Sequence, residues 1–178
     1  TAIRLLQNGI DDFVILERDV RPGGTWRDNT YPGAACDVPS HLYSYSFALN
    51  PSWSRSFSQQ PEIHKYINGV ADKYDLKRHM EFGTVVESAT WDPDEQLWRV
   101  RTGSGTERTA RYLVTATGFL SQPHVPEFPG IKNFAGTILH TADWQDGFDF
   151  TGKKVAVIGT GATAVQLIPE IAARAEAL

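Results

Sequence analysis

Apolar positions open the chain on a helical spacing: Ala2, Ile3, Leu5 and Leu6 fall close to one face, and Gly9 suits a helix stop. Phe13-Val-Ile-Leu-Glu17 follows as a short apolar run, which predicts a buried strand closed by an acidic residue. From 19 to 60 no period is sustained. The Gly, Pro, Ser, Asn and aromatic residues there predict a long structured loop with short helical turns, and loops of that length are usually functional. Pro61 then opens an amphipathic helix in which Ile63, Tyr66, Ile67, Val70, Ala71 and Tyr74 recur at helical spacing, with Glu62 in the favourable first turn. Three strands are predicted near 84–91, 97–102 and 108–116, separated by the turn sequences Asp92-Pro-Asp-Glu-Gln96 and Gly103-Ser-Gly105. They form an antiparallel meander.

Residues 121–130 carry three prolines and a glycine, a composition suited to a crossing between domains. Beyond it, Lys153-Lys-Val-Ala-Val-Ile158 predicts a buried strand, and Gly159-Thr-Gly-Ala-Thr-Ala164 turns that strand into a helix. The helix is expected to be cut by the chain's end, with Pro169 kinking it or ending it early. A helix feeding a strand that ends in an acidic residue is the second half of a βαβ nucleotide-binding unit. Its first strand and Gly-rich turn would lie upstream of Thr1, so the chain reads as a fragment of something longer.

Composition changes this picture little. With 178 residues, 41% apolar and 21% charged, the chain has ordinary globular composition and enough length for one core or slightly more. Seventeen Lys and Arg against 21 Asp and Glu give a net charge of -4 with no long block of either sign, so no nucleic-acid partner is expected. No apolar run approaches the roughly 20 residues of a membrane span, and the first residues lack the features of a signal peptide. A cytoplasmic location is the default expectation. The single cysteine, Cys36, excludes an internal disulfide and a cysteine-cluster metal site, and no metal is expected. Cys36 itself reads as a small buried apolar residue.

Gly159-x-Gly161-x-x-Ala164 lies between a predicted strand and a predicted helix, the context in which this glycine pattern binds dinucleotides. Gly159 permits the tight turn, Gly161 lets backbone approach a pyrophosphate, and Ala164 allows close helix packing. The amides of the turn, through Thr160, Ala162 and Thr163, join the helix dipole in favouring an anion. The alternative is an ordinary strand-to-helix turn. The residue that separates NAD from NADP is expected about 20 positions on, past Leu178, so this turn does not choose between them. Glu17, closing the first strand, stands where a ribose-binding carboxylate belongs, although a solvated turn residue has the same spacing.

Two further stretches carry a family resemblance. Gly23-Gly24-Thr-Trp26-Arg-Asp-Asn-Thr-Tyr31-Pro32-Gly33-Ala-Ala-Cys-Asp37 resembles the signature of Baeyer-Villiger monooxygenases at all seven of its fixed positions. The chemistry agrees: paired glycines let backbone pass a ligand, a tryptophan can wall a flavin ring, and Asp37 can place charge beside it. The other stretch, Phe134-x-Gly136-x-x-x-His140-x-x-x-Trp144, resembles the fingerprint that separates these enzymes from other flavin monooxygenases. It departs in one place, Gln145, where the family has Pro or Asp. The related nitrogen- and sulfur-oxygenating group differs at the position of Trp144 itself, carrying Tyr or Phe there. On residue type alone His140 is more often a satisfied structural histidine than a catalyst; in the family the segment is a linker that couples domain movements, and direct chemistry is not assigned to it. Asp37-Val-Pro-Ser-His-Leu-Tyr43-Ser-Tyr-Ser-Phe47, Gln60-Pro-Glu-Ile63 and Ala116-Thr-Gly118 extend the likeness over nearly the whole chain.

The resemblance implies an α/β, Rossmann-like FAD/NAD(P)-binding fold of two dinucleotide-binding domains with an antiparallel β-meander, here lacking the first strand. It divides the chain into an FAD-binding domain at 1–121, an interdomain linker at 122–150 and the start of an NADPH-binding domain at 151–178. It makes Glu17 a ligand of the FAD ribose, sets Gly24, Thr25, Trp26, Asp37 and Tyr43 around the flavin and its nicotinamide partner, and offers the backbone of Val86 to the adenine. The Gly159–Ala164 turn would hold the NADPH pyrophosphate. The implied reaction uses NADPH, FAD and dioxygen to convert a ketone to an ester or lactone, and the family places its catalytic arginine in the second domain, past Leu178. Asp37 is then the local candidate for a catalytic role, orienting that arginine. Two alternatives stand beside it: a flavin monooxygenase acting on nitrogen or sulfur, and an inactive nucleotide-binding fragment.

Overall fold

A computed structural model describes residues 1–118 and 120–178. The chain forms two compact units: Thr1–Pro22 joins Ile67–Gly118 in the first, and Gly23–Tyr66 joins the segment ending at Leu178 in the second.

In the first unit, α1 (Ala2–Gln7) leads to β1 (Ile15–Leu16), which pairs in parallel with β2 (Met80–Glu81). Only two residues of the predicted 13–17 run pair as strand, because β2 offers only two partners and then turns away at Gly83, whose N–H donates to the Asp19 carbonyl over 2.9 Å. The meander forms as expected from β3 (Val86–Asp92), β4 (Leu97–Thr102) and β5 (Glu107–Ala110), in that order. The third strand is shorter than the predicted 108–116: pairing stops at Trp98 opposite Ala110. Trp91 faces Trp98 across β3 and β4 with rings edge to face at 5.6 Å, a favourable cross-strand pair. Arg99 gathers three carboxylates, at 2.9 Å from Asp92, 2.9 Å from Glu95 and 3.1 Å from Glu107, which fastens both turns of the meander.

In the second unit the aperiodic loop is ordered by side chains that satisfy its backbone. The hydroxyl of Ser40, 1% exposed, accepts the Ser58 N–H at 2.8 Å and donates to Ser58 Oγ at 3.0 Å. Tyr66, on α3 (Gln60–Lys73), donates its hydroxyl to the Ala48 carbonyl and accepts the Tyr45 N–H, both at 2.8 Å. The expected short turns are present as α2 (Thr25–Asp28) and a 3-10 turn at Ser40–Leu42. α4 (Ala162–Ala172) packs Leu167 and Ile171 against Tyr31, Ala34 and Phe150, and this cluster is the unit's core.

Two expectations for the C-terminal segment are corrected. The helix is not cut by the chain's end: it runs through Pro169 to Ala172. There the Arg174 and Ala175 amides turn back on the Ile171 carbonyl, and Ala177 comes to pair in parallel with Lys154. The 153–158 run is extended but pairs only at that bridge among the described residues, and Ile158 is exposed. No helix among the described residues is long and apolar enough to cross a membrane.

The meander carries an acid-sensitive contact. Asp92 accepts the Glu95 amide, the Arg99 guanidinium and the Asp94 amide, and these bonds hold its carboxyl below the ordinary value. Because the folded state prefers the charged form, this stabilisation is present above an unfolded pKa of about 4 and is lost as pH falls through the depressed folded value. Asp92→Asn should therefore flatten the fall in stability below about pH 4, measured as denaturation midpoints across an acid pH series.

Candidate functional site

The turn that opens α4 has the conformation its glycines predict. Gly159 lies at φ +133°, where a side chain is strained whatever the space around it. Gly161 is the helix N-cap and takes an ordinary φ of -76°; open space stands where its Cβ would be. Thr160, Gly161 and Ala162 are exposed, whereas Ala164 is 7% exposed and packed inward, as close helix packing requires. No side chain caps the helix and no acidic residue stands in its first turn. The first amides thus lack intrahelical partners and face an open surface, an arrangement that fits a pyrophosphate.

The Gly23–Asp37 stretch is built against α3. Gly23 sits at φ +134°, and a Cβ there would come within 2.7 Å of His64 Cδ2. Gly24 caps α2 at φ +49° and faces open space. Trp26 Nε1 donates to Tyr43 Oη over 2.9 Å with the rings edge to face, and the Trp26 carbonyl accepts the Gln60 carboxamide. Thus Trp26 and Tyr43, both singled out from sequence, are in contact. Thr25 is exposed at the start of α2, and the Asp37 carboxylate is exposed at the far end of the stretch. Cys36 is buried, as expected, and burial pushes its thiol above the ordinary value.

Between these ends the stretch is fastened to α4. Tyr31 Oη donates to Gln166 Oε1 at 2.9 Å, the Ala35 N–H reaches the same oxygen at 3.3 Å, and Gln166 Nε2 donates to the Ala35 carbonyl at 2.9 Å. Gly33, at φ +80°, lies so close that a Cβ would collide with the Gln166 carbonyl oxygen. Thr30 adds a 2.9 Å bond to Asp146. In the 134–144 stretch, His140 Nδ1 accepts the Ala142 N–H at 3.1 Å and its carbonyl accepts Asp143 N–H at 2.9 Å, so this histidine caps a turn. Trp144 stacks on Phe150 at 5.8 Å, against the core cluster.

Glu17 and Val86 belong to the first unit. Glu17 Oε1 accepts the Asp19 N–H at 3.0 Å, and Val86 opens β3 beside a bulge with its side chain exposed. Gln166 escaped the sequence reading. The available signal was a carboxamide flanking the inward face set by Ala164, Leu167 and Ile171, but its partner, the backbone of Ala35, leaves no mark on residue type.

Residues 32–178 match the flavin-binding monooxygenase-like family. A Baeyer-Villiger monooxygenase of Streptomyces coelicolor is 50% identical over 99% of this chain and 34% of its own length. Among solved structures, cyclohexanone monooxygenase with bound ε-caprolactone is 41% identical with a TM-score of 0.88, over 98% of this chain and 36% of that one. OTEMO in complex with FAD and NADP is 38% identical with a TM-score of 0.90, over 98% and 35%. The fold is therefore the FAD- and NADP-binding α/β fold of these enzymes. The chain spans about a third of the length of the curated relatives it matches.

The Gly33 contact yields a direct prediction. Gly33→Ala combines a positive φ with a collision against backbone, which a flexible neighbour cannot relieve. It should destabilise the protein by more than about 1 kcal/mol in denaturant titrations, whereas Gly24→Ala, with open space at the Cβ, should cost less.

Proposed function

Because the chain belongs to the flavin-binding monooxygenase-like family, we propose that the whole protein is an FAD- and NADPH-dependent monooxygenase that inserts one oxygen atom of dioxygen beside a ketone carbonyl. The product is an ester or lactone. The observation that carries this reading is the Gly23–Asp37 stretch, which retains all seven fixed positions of the Baeyer-Villiger signature and is ordered by its own packing contacts. In this reading residues 1–121 serve FAD, 151–178 open the NADPH side, and 122–150 lie between.

Each residue has a task its surroundings suit. The uncapped amides at the start of α4, with Gly159 and Gly161 keeping side chains away, bind the NADPH pyrophosphate; Thr160, Ala162, Thr163 and Ala164 complete that turn. Glu17 holds the ribose of FAD, and the Val86 backbone meets its adenine. Gly24 and Thr25 let backbone pass close to the flavin. Trp26, its indole oriented by Tyr43 and its carbonyl by Gln60, walls the ring. Bound FAD, reduced by NADPH, supplies the activation of dioxygen. Asp37, exposed at the end of the stretch, orients the arginine that this family uses beside the developing negative charge, where a fixed positive group is worth most with water kept out.

A nitrogen- or sulfur-oxygenating activity is the second reading, favoured only by Gln145 after Trp144. The two separate in one experiment. The purified whole protein should be yellow with bound FAD, consume NADPH faster when a cyclic ketone is added, and release a lactone. Stimulation by an amine or sulfide but by no ketone would overturn the first reading in favour of the second. Gly161→Asp, which places a carboxylate against the pyrophosphate, should raise the KM for NADPH about tenfold or more while leaving FAD content unchanged, and equal KM values would remove that turn from the cofactor site.

A further inference from the structure

Residues 34–36 form an isolated antiparallel bridge centred on Ala35. On one edge the Ala34 carbonyl accepts the Gln60 N–H at 2.8 Å and the Cys36 N–H reaches the Ser58 carbonyl at 2.9 Å, with Ala35 bridged to Gln59. The N–H and C=O of Ala35 face the opposite edge, where a sheet would supply a neighbouring peptide. Here the carboxamide of Gln166 takes that place, accepting the one and donating to the other. A carboxamide carries both a donor and an acceptor, so it can stand in for a peptide group, which neither a carboxylate nor an alkyl chain can do.

Gln166 lies about one turn into α4, two residues beyond the Gly159–Ala164 turn, and Ala35 lies two positions before Asp37. We propose that Gln166 is a positioning residue: its carboxamide fixes the spacing between the Asp37-bearing stretch and the N-terminus of α4, and through it the alignment of nicotinamide with flavin. The inference rests on the reading of these two elements as the flavin and NADPH sides of one enzyme. Three features make the link stiff. Tyr31 adds a third bond to the same carboxamide, Gly33 lies against the Gln166 carbonyl, and Leu167 anchors the adjoining position in the core. Neither cofactor depends on Gln166 for its own contacts, because the helix amides remain when its side chain is changed. Its loss should therefore impair transfer between the two more than binding of either.

The test uses the whole protein, comparing wild type with Gln166→Leu and Gln166→Glu. FAD content, NADP+ affinity, melting temperature, anaerobic flavin reduction by NADPH and amide hydrogen exchange across 31–37 would be measured. The expected result is near-normal FAD content, NADP+ affinity and melting temperature, with reduction slowed about tenfold or more and faster exchange in that segment. Tyr31→Phe should slow reduction less, and its effect should not add to that of Gln166→Leu. If Gln166→Leu fails to fold, Gln166→Glu, which keeps the chain length and an acceptor, carries the comparison. Unchanged reduction in the folded variants overturns the proposal, as does a parallel fall of FAD content, NADP+ affinity, melting temperature and rate. A wild-type protein that takes up FAD and NADPH but shows unaltered variants refutes the positioning role alone. A wild-type protein that binds neither overturns the functional reading, and the role of Gln166 with it.

Discussion

One side-chain amide closes the edge of a strand that has no neighbour on that side. The Ala35 N–H and C=O lie half buried beside α4, on the edge where a neighbouring strand would otherwise bond them. Gln166 supplies both partners and in the same contact ties a loop to a helix. Around it the apolar cluster of Tyr31, Ala34, Phe150, Leu167 and Ile171 gathers, so the polar link sits at the edge of a core that excludes water. Among the described residues both sheets lie in the first unit, so in the second this junction joins segments that a sheet would otherwise join.

The same constraint explains how a stretch without periodicity holds its form. Between 38 and 58 there is no long helix or strand ladder, so side chains add to the few turn and bridge bonds that the backbone makes with itself. Ser40 and Ser58 serve each other at the centre, Tyr66 serves Ala48 and Tyr45, and Glu62 accepts the N–H and hydroxyl of Ser54 at 2.9 and 2.7 Å. Each of these partners is a single side chain in a fixed place. Such a loop has little tolerance for substitution at its polar positions, unlike a surface loop whose backbone is solvated.

What the sequence made legible follows from the range of the forces involved. α3 and the first two strands of the meander are set by local periodicity and turn residues and lie within a few positions of where the pattern places them, whereas the third strand ends at Ala110, well short of 116. The glycine turn was legible because Gly159 requires a positive φ that residue type reveals. The strand at 15–16 falls inside the predicted 13–17 run, but its partner at 80–81 went unread, since a parallel pair joins residues far apart and Met80–Glu81 carries no alternation of its own. The end of α4 departs from expectation: the helix stops at Ala172, where the chain turns on the Ile171 carbonyl, and Ala177 then pairs with Lys154, a tertiary pairing with no local sign. Among the site residues, those whose type is unusual, Trp26 and the glycines, stood out. Gln166 did not, and Gln60 entered only within the Gln60–Ile63 likeness and not for its bond to Trp26, since a glutamine that bonds backbone looks like one that bonds water.

The signature itself divides by physical role. Gly23 is required by His64, Gly33 by the Gln166 carbonyl, and Tyr31 by the core and the Gln166 carboxamide. These three answer to neighbours within the unit. Gly24 and Asp37 face open space or solvent and make no such demand, so their presence is unexplained by packing. Trp26 stands between, held at its carbonyl and indole N–H but only half buried. In the proposed reading, a motif of this kind is a scaffold and a binding surface written in one stretch. The packed positions set where the exposed ones stand, and if the exposed ones meet the cofactors as proposed, a change at Gly33 or Tyr31 would reach a bound cofactor by moving Asp37 and α4 rather than by touching it.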